Sequence, residues 1–275
     1  MAVQQEIHSM ALFCDFENIA LGVREAKYPK FDIKKVLERL LLKGSIVVRK
    51  AYCDWERYKD FKAVMHEAGF ELIEIPHARQ SGKNSADIRM VVDALDLCYT
   101  KSHVDTFVVI SGDSDFSPLV AKLRENDKLV IGVGVKKSTS DLLTAACDEF
   151  IYYDDLVAAE AKKARTRRRP PKAEPKEIVP QRQREEDKRQ TALDLTVETF
   201  EALQAERGEE ERVWGSMVKQ ALRRRKPGFN ESYYGFKSFS DLLEEANRQG
   251  LLRLERDERS GGYIIHPVEP AQSGE

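Results

Sequence analysis

The sequence predicts an α/β protein: a mainly parallel sheet with helices on both faces, followed by a smaller unit of helices and a hairpin. Three observations carry that prediction. Short apolar runs alternate with helical patterns from about residue 9 to 155, as successive βαβ units require. Several of the runs are apolar throughout rather than at every second position, as strands buried on both faces must be. Beyond residue 156 the composition turns to charge and proline, and apolar patterning returns near 191 with helical spacing.

Met10 to Cys14 is the first expected strand, and it ends in Asp15-Phe16-Glu17-Asn18. Ile33 to Leu42 has helical spacing and stops at Gly44, a residue suited to a helix C-terminus. Ile46 to Tyr52 is a second strand, Trp55 to Ala68 a helix, and Phe70 to Ile75 a third strand. A polar loop, Gln80 to Ser85, runs into a helix whose apolar positions include Ile88, Val91, Val92 and Leu95. Asp105 to Ile110 is the fourth strand and Leu129 to Val135 the fifth. Gly132 and Gly134 are too few for a dinucleotide fingerprint, which excludes that reading. Asp141 to Ala146 is a short helix and Phe150 to Tyr153 a last strand.

The second unit is expected over 191–267. Leu193 to Leu203 is amphipathic, and Val213, Met217, Val218, Ala221 and Leu222 have helical spacing. A turn at Lys226-Pro227-Gly228-Phe229-Asn230 precedes Tyr233 to Phe239, which leads into a capped helix ended by Gly250. Leu251 to Glu255 and Gly262 to Ile265 pair as a hairpin. Helices followed by such a hairpin describe a winged helix-turn-helix.

The formal net charge of −2 hides an uneven distribution. Residues 1–156 carry 21 Lys/Arg against 25 Asp/Glu, whereas 161–190 carry 12 against 5. The segment 157–190 contains Pro170, Pro171, Pro175 and Pro180, and reads as a basic, disordered linker, with a helical start continuing from Leu156, that can attract polyanions. Cys14, Cys53, Cys98 and Cys147 have no paired metal-ligand spacing. No run has the length of a transmembrane helix and no signal-peptide core opens the chain, so a cytoplasmic protein without a membrane partner is expected.

The candidate chemistry lies where strands end. The run Val108-Val109-Ile110 stops in Ser111-Gly112-Asp113-Ser114-Asp115-Phe116, and Pro118 then opens a helix. Two neighbouring carboxylates repel by about 4 kcal/mol at an effective dielectric near 20. A divalent cation with oxygen ligands offsets that repulsion; a turn and a helix cap explain the same residues without one. If strands one and four are neighbours at the switch point, Asp15, Asp87, Asp113 and Asp115 converge, with Asn18 nearby. A cluster of oxygen donors without histidine or cysteine favours Mg²⁺ or Mn²⁺ over zinc and suits phosphodiester hydrolysis.

These residues resemble a known family. Asp15-Phe16-Glu17-Asn18-Ile19, Lys83-Asn84-Ser85-Ala86-Asp87 and Ser111 to Phe116, in that order, resemble the NYN domain of the PIN-like nuclease superfamily, and more narrowly its LabA-like branch. The resemblance covers residues 8–156 and implies a PIN-like fold with a metal-dependent ribonuclease centre. It implies Asp15, Asp87, Asp113 and Asp115 as metal ligands and Asn18 as the amide that positions a ligand or water. Val213 to Val218 and Phe229 to Leu243 resemble a LOTUS (OST-HTH) domain, which implies RNA binding or a protein partner. Lys83, the basic run Arg223-Arg224-Arg225-Lys226, and the aromatics Tyr233 and Tyr234 are the candidate RNA contacts. At those aromatic positions, packing into the core is the competing explanation. A non-catalytic RNA- or protein-binding module with a vestigial acidic site is the alternative to the nuclease.

Overall fold

The structure is a computed structural model of the 275-residue chain. It describes residues 8–75, 85–166, 181–208, 211–257 and 260–268. The chain divides into two compact units, residues 1–169 and 170–275.

In the first unit the strands are β1 (His8–Asp15), β2 (Gly44–Cys53), β3 (Glu71–Glu74), β4 (Thr106–Ile110), β5 (Leu129–Gly134) and β6 (Glu149–Tyr152). The helices between and after them are α1 (Phe16–Glu25), α2 (Ile33–Lys43), α3 (Lys59–Glu67), α4 (Ser85–Thr100), α5 (Ser117–Glu125), α6 (Asp141–Ala146) and α7 (Tyr153–Thr166). Among the described residues the six strands form one all-parallel sheet in the order β3-β2-β1-β4-β5-β6. The order reverses between β1 and β4, which are neighbours as expected.

Both central strands are apolar throughout because each of their faces is covered. Met10, Leu12, Cys14, Val108 and Ile110 point to one side, where Phe16, Ile19 and Val23 of α1 and Val36 and Leu40 of α2 meet them. Ala11, Phe13, Phe107 and Val109 point to the other, against Met90 and Ala94 of α4 and Leu119 and Leu123 of α5. Phe13 and Phe107 stack there, with ring centroids 6.0 Å apart. Truncating either ring to alanine would cost about 3–5 kcal/mol.

Several element limits differ from the sequence expectation. Helix α3 starts at Lys59 rather than Trp55, because Asp54 Oδ1 accepts from the backbone N–H groups of Glu56 and Arg57 and holds a separate turn. Gly44 is the first residue of β2, in extended backbone, and not a left-handed terminator. Helix α1 follows β1 directly, where no helix was expected. The helical start offered for the linker is present, as α7 reaches Thr166, but α8 (Gln181–Arg207) begins inside the segment expected as disordered, before residue 191. Residues 167–180 between them lie outside the described residues.

The second unit continues with β7 (Val213–Trp214), α9 (Gly215–Arg225), α10 (Phe239–Arg248), β8 (Arg253–Arg256) and β9 (Tyr263–His266). Its sheet is antiparallel, in the order β7-β9-β8. Ser238 caps α10 by accepting from the Asp241 N–H, and Gly250 follows with a φ of 69°. Val213 belongs to the strand that precedes α9 and pairs with Ile265, not to the helix. No helix among the described residues is long and apolar enough to cross a membrane.

Candidate active site

The register of the sheet builds the site. Cys14 of β1 pairs with Ile110 of β4, so the next residue on each chain, Asp15 and Ser111, emerges side by side at the strand ends. The Ser111 hydroxyl donates to Asp15 Oδ2 at 2.9 Å and accepts from the Asp113 N–H at 3.1 Å. One buried serine thus ties the first acid to the backbone of the third. Asp15 also caps α1, its Oδ1 accepting from the Asn18 N–H at 3.3 Å. Asp113 accepts at Oδ1 from the Asp115 N–H and caps the single 3₁₀ turn Ser114–Phe116.

Asn18, expected to position a ligand or water, ties two elements of the site together. Its Oδ1 accepts from the Gly112 N–H at 2.9 Å and latches the strand-four loop to α1 across 94 positions of sequence. Gly112 is needed there for space: a Cβ would lie 2.4 Å from the Ser138 carbonyl oxygen. The Ser140 N–H donates to the Gly112 carbonyl, so the loop after β5 is strapped to the same point.

Asp15 is 7% exposed. Burial pushes its carboxyl up to about 7, and the negative charges of Asp87 and Asp113 push the same way against the Ser111 and Asn18 hydrogen bonds. Those two acids, from α4 and the β4 loop, are therefore brought within electrostatic reach of Asp15. Asp115 is exposed. Asp87 and Asp113 supply repulsion at Asp15, which the hydrogen bonds from Ser111 and the Asn18 N–H oppose.

A second network centres on Asp93. Asp93 on α4 accepts from the Tyr52 hydroxyl at 2.9 Å, the Lys50 ammonium at 3.2 Å and the Arg89 guanidinium at 3.1 Å. Tyr52 pairs in register with Asp15. The network thus fastens α4, which carries Asp87 in its first turn, to the strand beside Asp15. Asp93 lies six residues past Asp87 and does not share its helix face.

Lys83 lies outside the described residues. In the second unit, Arg225 pairs with Glu198 and donates to Thr199 Oγ1, and Arg224 is half-buried, with its pKa lowered by desolvation. Arg223 and Lys226 are exposed. Arg223 and Lys219 face Glu231; burial opposes that carboxylate's charge, but a backbone hydrogen bond and these two cations outweigh it and keep its pKa low. Tyr233 is 63% exposed rather than core, with the Lys188 ammonium 4.5 Å above its ring. Tyr234 is half-buried and stacks on Phe229. A concavity of about 630 Å³ lies beside them, lined by residues including Arg223, Phe229 and Glu231.

Among the described residues no three histidine, cysteine, aspartate or glutamate groups gather tightly enough to hold a metal ion. The donor chemistry nonetheless fits Mg²⁺ or Mn²⁺, which are commonly held through one or two carboxylates with water completing the shell. A buried carboxyl raised by its acidic neighbours is a group that such a cation would recharge.

Comparison with known proteins gives two family matches. The NYN domain profile matches residues 9–154, and the OST-HTH/LOTUS domain profile matches residues 193–264. The chain is 29% identical over 145 residues to the uncharacterized protein MJ0482 of Methanocaldococcus jannaschii, covering 52% of this chain and 55% of that one. The chain therefore spans about half the length of this relative. It is 27% identical to a crystal structure of a protein of unknown function, VPA0982, from Vibrio parahaemolyticus, with a TM-score of 0.49, covering 55% of this chain and 96% of that one.

Proposed function

The chain belongs to the NYN domain family and carries a LOTUS domain after it, and from that premise we propose that it is a metal-dependent ribonuclease. NYN domains are part of the PIN-like nuclease superfamily. In this reading residues 8–156 cleave RNA phosphodiester bonds, 157–190 link the units, and 191–267 deliver the RNA. One observation carries it: a buried carboxyl at the sheet's switch point, Asp15, is pushed up to about 7 with two further acids from separate elements bearing on it. A fold keeps such repulsion at a strand edge most readily when function requires the charge.

One or two of Asp15, Asp87 and Asp113 would hold Mg²⁺ or Mn²⁺, with water completing the shell and Asp115 at the exposed rim. When bound, the cation supplies a Lewis acid that activates water and offsets charge on the phosphate. Ser111 orients Asp15 through Oδ2 and leaves the carboxylate its remaining lone pairs. Asn18 keeps the Gly112–Asp113 backbone against α1, which fixes where Asp113 presents its carboxylate. RNA contacts on the second unit come from Arg223, Lys226 and Tyr233, with Tyr234 supporting the aromatic stack.

Labelled RNA and DNA incubated with the full chain, with and without chelator, test the proposal. Chelator-sensitive cleavage of RNA that Asp113→Asn abolishes, with an unchanged circular dichroism spectrum, supports it. Cleavage by the variant at the parent's rate sinks the assignment. The absence of a three-acid metal group among the described residues favours a second reading, a non-catalytic RNA- or protein-binding module with a vestigial acidic site. RNA retention without cleavage by the parent would select that reading.

A further inference from the structure

An acidic centre repels the polyanion it is to cut, so the strand must be held by cations beside the acids. The loop after β5, Val135 to Ser140, occupies that place on the far side of β4. Its backbone lies against Gly112, one residue from Asp113, and Ser140 N–H donates to the Gly112 carbonyl at 2.9 Å. Ser138 also packs over Gly22 of α1, where a Cβ would meet its hydroxyl oxygen at 2.2 Å.

The loop is rigid because its polar groups bind one another. Thr139 Oγ1 donates to the Val135 carbonyl at 2.8 Å, and Ser140 Oγ accepts from the Leu142 N–H to cap α6. Lys136 is held by Asp155, and its ammonium lies 5.4 Å from the centre of the Tyr152 ring. What remains is Lys137. It is exposed, and no ion pair to it is found among the described residues. A fixed loop that touches the acidic edge and presents one uncommitted ammonium is suited to a phosphate.

We propose that Lys137 is a phosphate-contact residue that holds the RNA backbone next to the Asp15–Asp113 edge. The inference rests on the reading of that edge as the place where RNA lies. Lysine serves as a point charge here, without base readout, so the contact is indifferent to sequence.

The test is the salt dependence of single-stranded RNA binding by the full chain, measured in chelator so that no cleavage occurs. Removing one phosphate contact lowers the slope of log K against log salt by about 0.7. Lys137→Ala should show that decrease, with its affinity loss greatest at low salt, and Lys137→Arg should restore the parent slope. Lys101→Ala, on the loop that precedes β4 at the opposite strand edge, should leave the slope unchanged. An unchanged slope for Lys137→Ala, equal loss in Lys101→Ala, or no RNA binding by the parent would overturn the contact. Chelator-sensitive cleavage with an unchanged Lys137→Ala slope removes the contact and keeps the nuclease. A lowered slope without any metal-dependent cleavage keeps the contact and removes the nuclease.

Discussion

Replacing Asp15 with asparagine should stabilise the first unit at alkaline pH while removing the proposed RNA cleavage. The folded protein moves this carboxyl from its ordinary 3.8 to about 7. Each pH unit of such a displacement corresponds to about 1.4 kcal/mol, so holding Asp15 charged costs about 4 kcal/mol. Because the folded value is the higher one, the stability linked to its proton is fully present below 3.8 and is lost as pH rises through about 7. Asparagine carries no charge to lose, but it disturbs the hydrogen bond from Ser111, which offsets about 1 kcal/mol. The variant should therefore be more stable than the parent by about 3 kcal/mol near pH 8, and by under about 1 kcal/mol near pH 5. For a unit of this size, 3 kcal/mol corresponds to roughly 6–12 °C in Tm. Urea unfolding in chelator at both pH values, followed by a probe in the first unit, measures the gap. A variant no more stable than the parent at the higher pH, or a gap that does not change with pH, would refute the reasoning. Adding Mn²⁺ should close the gap by stabilising the parent alone.

Three further outcomes follow from the same geometry. Ser111→Ala removes a hydrogen bond that lowers the Asp15 pKa, so the acid limb of the pH–rate profile should move to higher pH, with a stability loss of about 1 kcal/mol. A profile that stays in place would show that Ser111 does not tune Asp15. Asp93→Ala strips the partner from Tyr52 and Lys50 and should destabilise by about 3–5 kcal/mol in chemical unfolding, whereas a loss typical of an exposed ion pair would mean that the network does not anchor α4. Tyr233→Ala should weaken single-stranded RNA binding by about 1–3 kcal/mol and Tyr233→Phe should not, as read by fluorescence anisotropy; equal binding by all three proteins would remove Tyr233 as a stacking platform.

The order β1-β4 at the switch point was legible because strands buried on both faces announce themselves as unbroken apolar runs, and the acids that interrupt them are conspicuous. Helix α1 was not, because it opens on polar residues that obscure the apolar period: Asp15 at the cap, Glu17 paired with Arg57, and Asn18 bonded to Gly112. The two-residue strand β7 is too short to display a period, so Val213 was grouped with the helix that follows. Tyr233 and Tyr234 share a composition but not an environment, and only the coordinates separate the exposed ring from the one stacked on Phe229. The basic run Arg223 to Lys226 divides in the same way, since Arg225 turns inward to Glu198.

Asn18 shows most clearly what sequence patterns leave out, because its partner is a backbone N–H that any residue at position 112 other than proline would supply. The motif marks the amide as functional, and proximity to Asp15 makes a ligand-positioning role the natural inference. The geometry gives its carbonyl oxygen to the latch on Gly112, and two substitutions test that latch. Asn18→Asp keeps an acceptor for Gly112 and adds a carboxylate beside Asp15, so the latch should hold while the Asp15 pKa rises further. Asn18→Ala removes the acceptor and leaves the Gly112 N–H without its partner, at a cost of about 1–3 kcal/mol. Hydrogen exchange at Gly112 should therefore be as slow in Asn18→Asp as in the parent and faster in Asn18→Ala. If both variants exchange alike, the latch is not what holds the loop, and Asp113 owes its position to the strap from Ser140.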